Sequence, residues 1–107
     1  MSGEERRAPT VRLKGEALEV EDPDEARQLH SSGHYGEPVD GRLRLSPVEA
    51  LHLLERGRVR VVDEGGRELS FEELARRLTR RDPKTWLKYL VYSDLRRRGY
   101  VVKGGLR

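Results

Sequence analysis

Arg42-Leu43-Arg44-Leu45-Ser46-Pro47-Val48-Glu49-Ala50-Leu51-His52-Leu53-Leu54-Glu55-Arg56-Gly57 carries two structural periods back to back. The first four residues alternate charged and apolar, as a strand with one wet face does. Ser46-Pro47-Val48-Glu49 then forms a capping box: the serine hydroxyl and the glutamate carboxylate each accept a backbone amide left over at a helix start, and proline suits the first helical position. Val48, Ala50, Leu51 and Leu54 supply an apolar face, and Gly57 supplies the stop. A strand running directly into a capped helix predicts an α+β protein.

The same chemistry recurs on either side. Upstream, Asp22-Pro23-Asp24-Glu25 predicts a short helix ending near Gly33, with acids at the positive end of its dipole. Downstream, Ser70-Phe71-Glu72-Glu73 is a second capping box, with Leu69 placed to staple onto Leu74. Phe71, Leu74, Ala75 and Leu78 make a clean amphipathic stripe, and Glu72 and Glu73 precede Arg76 and Arg77 by four residues. A fourth helix is expected to open at Asp82-Pro83 and run to about Arg98, burying Leu87, Leu90, Val91 and Leu95. Strands are expected at Val11–Leu13 and Ala17–Val20 as a hairpin, at Arg42–Leu45, at Arg58–Val62 before a Gly65-Gly66 turn, and at Tyr100–Val102. The fold class is therefore α+β: short helices on a small mixed or antiparallel sheet, ending in a helix and strand.

Composition limits what such a chain can do. Its 107 residues are 35% hydrophobic, enough for a single modest core. There is no cysteine, which removes disulfides, thiolate nucleophiles and cysteine-ligated zinc. No apolar run reaches the roughly 20 residues that span a bilayer, and residues 1–9 carry no apolar leader and read as a disordered tail. The expectation is a cytoplasmic protein without a membrane partner. Asparagine is absent, and glutamine and methionine occur once each among many charges, as in thermophiles.

Charge is segregated. From Arg76 to Arg107 there are eleven basic residues against Asp82 and Asp94, a balance of +9; the net charge of +3 leaves −6 for the first 75 residues. A basic end on an acidic front suggests a nucleic-acid surface or an electrostatic contact between subunits, although helix-end arginines that merely solvate a face explain such runs equally well. Arg76, Arg77, Arg80, Arg81 and Lys84 are the candidates for RNA phosphates. Trp86, Tyr89 and Tyr92 could stack bases, but aromatics at this helical spacing more often pack a core or seam. His30 and His34 lack a third ligand at metal spacing, so no metal site or cofactor is expected. His52 reads as an ordinary, partly buried histidine.

The order of the motifs carries a resemblance. Gly33-His34-Tyr35-Gly36, Leu45-Ser46-Pro47-Val48-Glu49-Ala50, Leu69-Ser70-Phe71-Glu72-Glu73-Leu74, and the run from Lys88 through Asp94-Leu95-Arg96 and Arg98-Gly99-Tyr100 to Arg107 together resemble the archaeal tRNA-splicing endonucleases. The resemblance covers Gly33 to Arg107. It implies an N-terminal domain over residues 10–82 and, over 83–107, the start of the family's catalytic domain. Such enzymes cleave bulge–helix–bulge precursor tRNA with a tyrosine, a histidine and a lysine, without metal, leaving a 2′,3′-cyclic phosphate. In the family those three residues lie beyond the strand that ends here. No catalytic residue is carried onto this chain; His52, Tyr92, Tyr100 and Lys103 match structural positions. The resemblance thus implies a subunit or portion inert alone, with precursor tRNA and other endonuclease subunits as partners. Tyr100, Val101 and Val102, as an unfinished apolar strand, are the expected subunit interface. A free-standing winged-helix-like nucleic-acid module and a pure scaffold are the alternatives.

Overall fold

A computed structural model describes residues 8–102. Six strands form one sheet: β1 (Thr10–Lys14), β2 (Ala17–Val20), β3 (Glu37–Val39), β4 (Arg42–Leu45), β5 (Arg60–Val62) and β6 (Glu68–Leu69). Four helices complete the chain: α1 (Pro23–Gly33), α2 (Pro47–Glu55), α3 (Phe71–Arg81) and α4 (Thr85–Arg97). The sheet order is β3-β4-β2-β1-β5-β6, antiparallel except where β1 pairs parallel to β5. The α+β expectation is met, with a mixed sheet.

Register puts the alternating apolar residues on one face. Leu13 lies opposite Leu18 and Leu18 opposite Leu45; Val20 faces Leu43, Val11 faces Val61, and Val61 faces Leu69. These side chains share one core with Ala26 and Leu29 of α1, Ala50, Leu51 and Leu53 of α2, and Leu74 and Leu78 of α3. The opposite face is a charge ladder, where Glu19 receives Arg42 at 3.3 Å and Arg44 at 3.2 Å, and Lys14 pairs with Glu21. A one-residue slip would exchange the two faces, so the pattern fixes the register. The pairing is engaged before β1 begins, since the Pro9 carbonyl accepts the Arg60 amide at 2.9 Å; the remainder of the expected disordered tail, residues 1–7, lies outside the described residues.

Both capping boxes form. Ser46 Oγ accepts the Glu49 amide at 3.2 Å and Glu49 Oε1 the Ser46 amide at 2.9 Å; Ser70 and Glu73 repeat this at 3.1 and 2.9 Å. Glu49 does a second task, because its Oε2 accepts the Gly36 amide at 2.9 Å and ties the Gly33–Gly36 turn to α2. That turn needs its glycines. A Cβ on Gly33 would fall 2.4 Å from the Tyr35 ring; Gly36 has φ +76°, and its Cβ would meet Leu43 Cγ at 2.6 Å. Gly36→Ala is therefore expected to destabilise by about 2–4 kcal/mol, from left-handed strain plus overpacking; an unchanged melting temperature would contradict this packing.

Several elements differ from the sequence expectations. β3 and β6 were not expected, and both are short edge strands, the first carrying Pro38. The α4 helix starts at Thr85, because Asp82 ends α3 and holds the Lys84 amide through its side chain at 3.1 Å. Tyr100–Val102 forms no strand: the Tyr100 amide turns back onto the Leu95 carbonyl at 3.1 Å, and no strand lies beside it among the described residues. Most consequential is the rotation of α4 about its axis. Thr85, Tyr89, Tyr92 and Ser93 are its buried residues, whereas Leu87, Leu90 and Val91 are 66, 46 and 42% exposed and Leu95 is half-buried.

Candidate functional surfaces

The α4 helix packs chiefly against α2, and then against α3. Tyr92 and His52 meet edge to face with ring centroids 5.5 Å apart, and His52 Nδ1 lies 3.2 Å from Ser93 Oγ. Tyr92 is 1% exposed, and its hydroxyl accepts Arg96 Nε at 3.0 Å. Burial pushes the Tyr92 phenol up to about 12. Burial first, then the guanidinium groups of Arg56, Arg96, Arg97 and Arg58, lowers His52 to about 4. Both groups are neutral near pH 7 and closed off from solvent, which suits them to packing and not to proton transfer with a substrate. Tyr89 is buried likewise, against Phe71 and Trp86 at 5.6 and 5.2 Å, so of the three aromatics only Trp86 keeps a face toward solvent.

The opposite side of α4 is a second apolar face. Leu87, Leu90 and Val91 recur at helical spacing, with Trp86 beside them. Tyr100 and Val101 are 60 and 52% exposed in the segment that follows, while Val102 is half-buried and lines a groove of about 720 Å³ together with Pro47, Val48 and Tyr92. A helix apolar on both sides belongs in an interior; this one is covered on one side only. The residues named from sequence as an interface thus follow α4, whose outer face is a further apolar surface.

The α3 arginines are all exposed. Arg77, Arg80 and Arg81 border a depression of about 380 Å³ with Leu13 and Leu78; Arg76 and Lys84 lie outside it. Two of these four arginines are engaged: Arg81 donates to the Gly15 carbonyl at 2.9 Å, and Arg77 stands 3.9 Å from Asp63. Arg76 and Arg80 have no carboxylate partner among the described residues, and Lys84 meets Asp82 through its backbone amide at 3.1 Å. On the histidine pair, His30 Nδ1 lies 3.2 Å from the Tyr35 carbonyl and His34 is the left-handed C-cap of α1. No group of three potential metal ligands converges among the described residues, and none of their helices is long and apolar enough to cross a membrane.

A capped α+β module ending in a helix with two apolar faces finds its class by comparison. Residues 10–75 match the family model described as tRNA intron endonuclease, N-terminal domain. The chain is 46% identical over 96 residues to a tRNA-splicing endonuclease of Thermococcus onnurineus, and 47% identical over 105 residues to one of Hyperthermus butylicus. The alignments cover 90 and 89% of this chain and 56 and 58% of those relatives. A tRNA-splicing endonuclease of Methanothermobacter thermautotrophicus is 41% identical, with 89 and 54% covered. The chain belongs to the tRNA intron endonuclease family and contains its N-terminal domain, while spanning little more than half the length of these curated relatives.

Proposed function

We propose that this chain is the assembly and RNA-positioning part of a tRNA-splicing endonuclease and does not itself carry the cleavage residues. The observation that carries the reading is the two-sided apolar character of α4. One side is seated on α2 and α3 through Tyr89, Tyr92 and Ser93, and the other, Leu87, Leu90 and Val91, is left for a further layer. The occupant that fits is the cutting portion of the family's longer proteins, supplied by another endonuclease subunit or by further chain. Tyr92 and His52, read from sequence as structural, are locked into the α2–α4 seam, which supports a role other than cleavage. A winged-helix module is less well supported, because a six-stranded sheet replaces the lone hairpin such a module carries.

Precursor tRNA of the bulge–helix–bulge kind is the proposed ligand, met by the outer face of α3. Replacing Arg76 and Arg80 together by glutamine is expected to weaken binding of a bulged RNA. It should also flatten the slope of log K against log salt by about 2, roughly one per lost phosphate contact. Anisotropy titrations over a salt series check this. Wild-type protein that binds no RNA at moderate salt would favour a pure scaffold, and equal affinity for duplex DNA and bulged RNA would favour a general nucleic-acid module.

A further inference from the structure

The C-terminal ends of α2 and α4 meet at a cavity of about 270 Å³ that borders the exposed Tyr100 and is distinct from the α3 arginine surface. Its wall holds Tyr35, His52, Arg56, Arg58, Arg96 and Arg97 with Gly99 and Tyr100 at its edge, and no carboxylate among the described residues. Other arginines are paired, Arg42 and Arg44 sharing Glu19 and Arg67 reaching Asp63 and Glu73, whereas Arg76 and Arg80 on the outer face of α3 are not. Here Arg56, Arg58 and Arg96 have no acidic partner among the described residues, and Arg97 reaches Asp94 only at 4.0 Å.

Cations at helix C-termini are ordinary, since the dipole places about half a negative charge at each end. Two helix ends supply about one unit of negative charge, against four guanidinium groups. The excess is too large for dipole compensation. Arg96 is also held in a fixed pose: its Nε donates to Tyr92 Oη at 3.0 Å and its guanidinium carbon sits 4.1 Å over the Tyr35 ring. That pose leaves Nη2 shielded from solvent with no acceptor. A buried charged donor without an acceptor is costly and calls for one. The guanidinium fork, stacked and pre-oriented, matches the oxygens of a phosphate better than a point charge would. A volume below the roughly 300–1,000 Å³ of pockets for larger organic ligands favours a small anion.

We propose that this cavity is a phosphate-binding site, in which Arg56, Arg58, Arg96 and Arg97 close around one phosphate group beside the Tyr35 ring. The group comes either from an RNA backbone or from free phosphate. The assignment is independent of the α3 arginines; its RNA source rests on the splicing role proposed above.

Inorganic phosphate is the first probe, with chloride at matched ionic strength as control. Phosphate is expected to raise the melting temperature and shift the Arg96 Nε–H resonance. It should also move the His52 titration upward, since a bound anion offsets the surrounding guanidinium charge. The double variant Arg56→Gln, Arg58→Gln, altered at two exposed positions, should keep the fold and lose these responses; Arg96→Lys, which keeps the charge and loses the fork, should weaken them. Absence of a phosphate effect beyond that of chloride, or an equal response in the double variant, overturns the site. In the RNA arm, a salt slope flatter by about 1 in the double variant assigns the phosphate to an RNA backbone. An unchanged slope in the double variant, with an inorganic-phosphate response that is present in wild type and lost in the variant, assigns it to free phosphate. Arg76→Gln with Arg80→Gln should leave the inorganic-phosphate response untouched, which separates failure of this site from failure of the α3 reading.

Discussion

Lowering the pH from 7 to 4 is expected to remove on the order of 3 kcal/mol of stability through His52 alone. The imidazole is 2% exposed and is held at about 4 in the folded protein against 6.5 for the free side chain, by burial and then by the four arginines around it. Between those values the unfolded chain binds a proton that the native state does not. Stability is therefore fully present above pH 6.5, falls with pH through the window, and levels off below about 4. The carboxylates act in a separate range. Asp63 and Glu73 are held low first by the Arg67 and Ser70 amides, respectively, so their contribution is lost below about pH 4.5, nearer their own ordinary values. Urea unfolding from pH 4 to 7 in wild type and His52→Gln isolates the effect. The variant should lose the slope above pH 4.5, and a wild type with no slope there would mean that His52 is solvated or paired with an acid.

The second large effect concerns the outer face of α4. Fully covering Leu87, Leu90 and Val91, already about half-buried on average, would stabilise an assembly by roughly 1 kcal/mol each. Leu87→Asp with Leu90→Asp is expected to abolish self-association or partner association in sedimentation velocity while leaving the melting temperature nearly unchanged, as exposed substitutions do. A collapse of the melting temperature would mean that these side chains are core. A wild type that stays monomeric at high concentration and in the presence of a cutting subunit would remove the basis for an assembly surface.

The legible parts of the fold were those with local chemistry. Ser46-Glu49 and Ser70-Glu73 announce two helix starts because a capping box is complete within four residues. Alternation in Arg42–Leu45 announces a strand because one face is wet. β3 escaped because Glu37-Pro38-Val39 is short and contains proline, yet a usable signal follows it: Asp40-Gly41, with φ 53 and 79°, is the left-handed pair that closes a tight hairpin. The orientation of α4 was not legible because both sides of the helix are apolar. Periodicity finds Leu87, Leu90 and Val91 as readily as Thr85, Tyr89, Tyr92 and Ser93. Contact with α2 decides between them, through Ser93 beside His52 and the Tyr92 ring edge-on to His52.

Function divided in the same way. The α3 arginines were visible as a run of charge, and the structure leaves them exposed. The arginines at the α2–α4 junction come from segments far apart in the chain, and Arg96 and Arg97 read simply as cations at a helix end until the fold brings Arg56 and Arg58 to them. Tyr100–Val102 was rightly read as apolar and wrongly as a strand, because a strand needs a neighbour and no described residue supplies one.

The most direct measurement is cleavage of an intron-containing precursor tRNA by this chain alone, by a second chain carrying the family's cutting portion alone, and by the two mixed. This chain alone is expected to cleave nothing and the mixture to cleave, with that cleavage lost when Leu87 and Leu90 are replaced by aspartate. Cleavage by this chain alone, or a mixture indifferent to the α4 substitutions, would contradict the proposed assembly role.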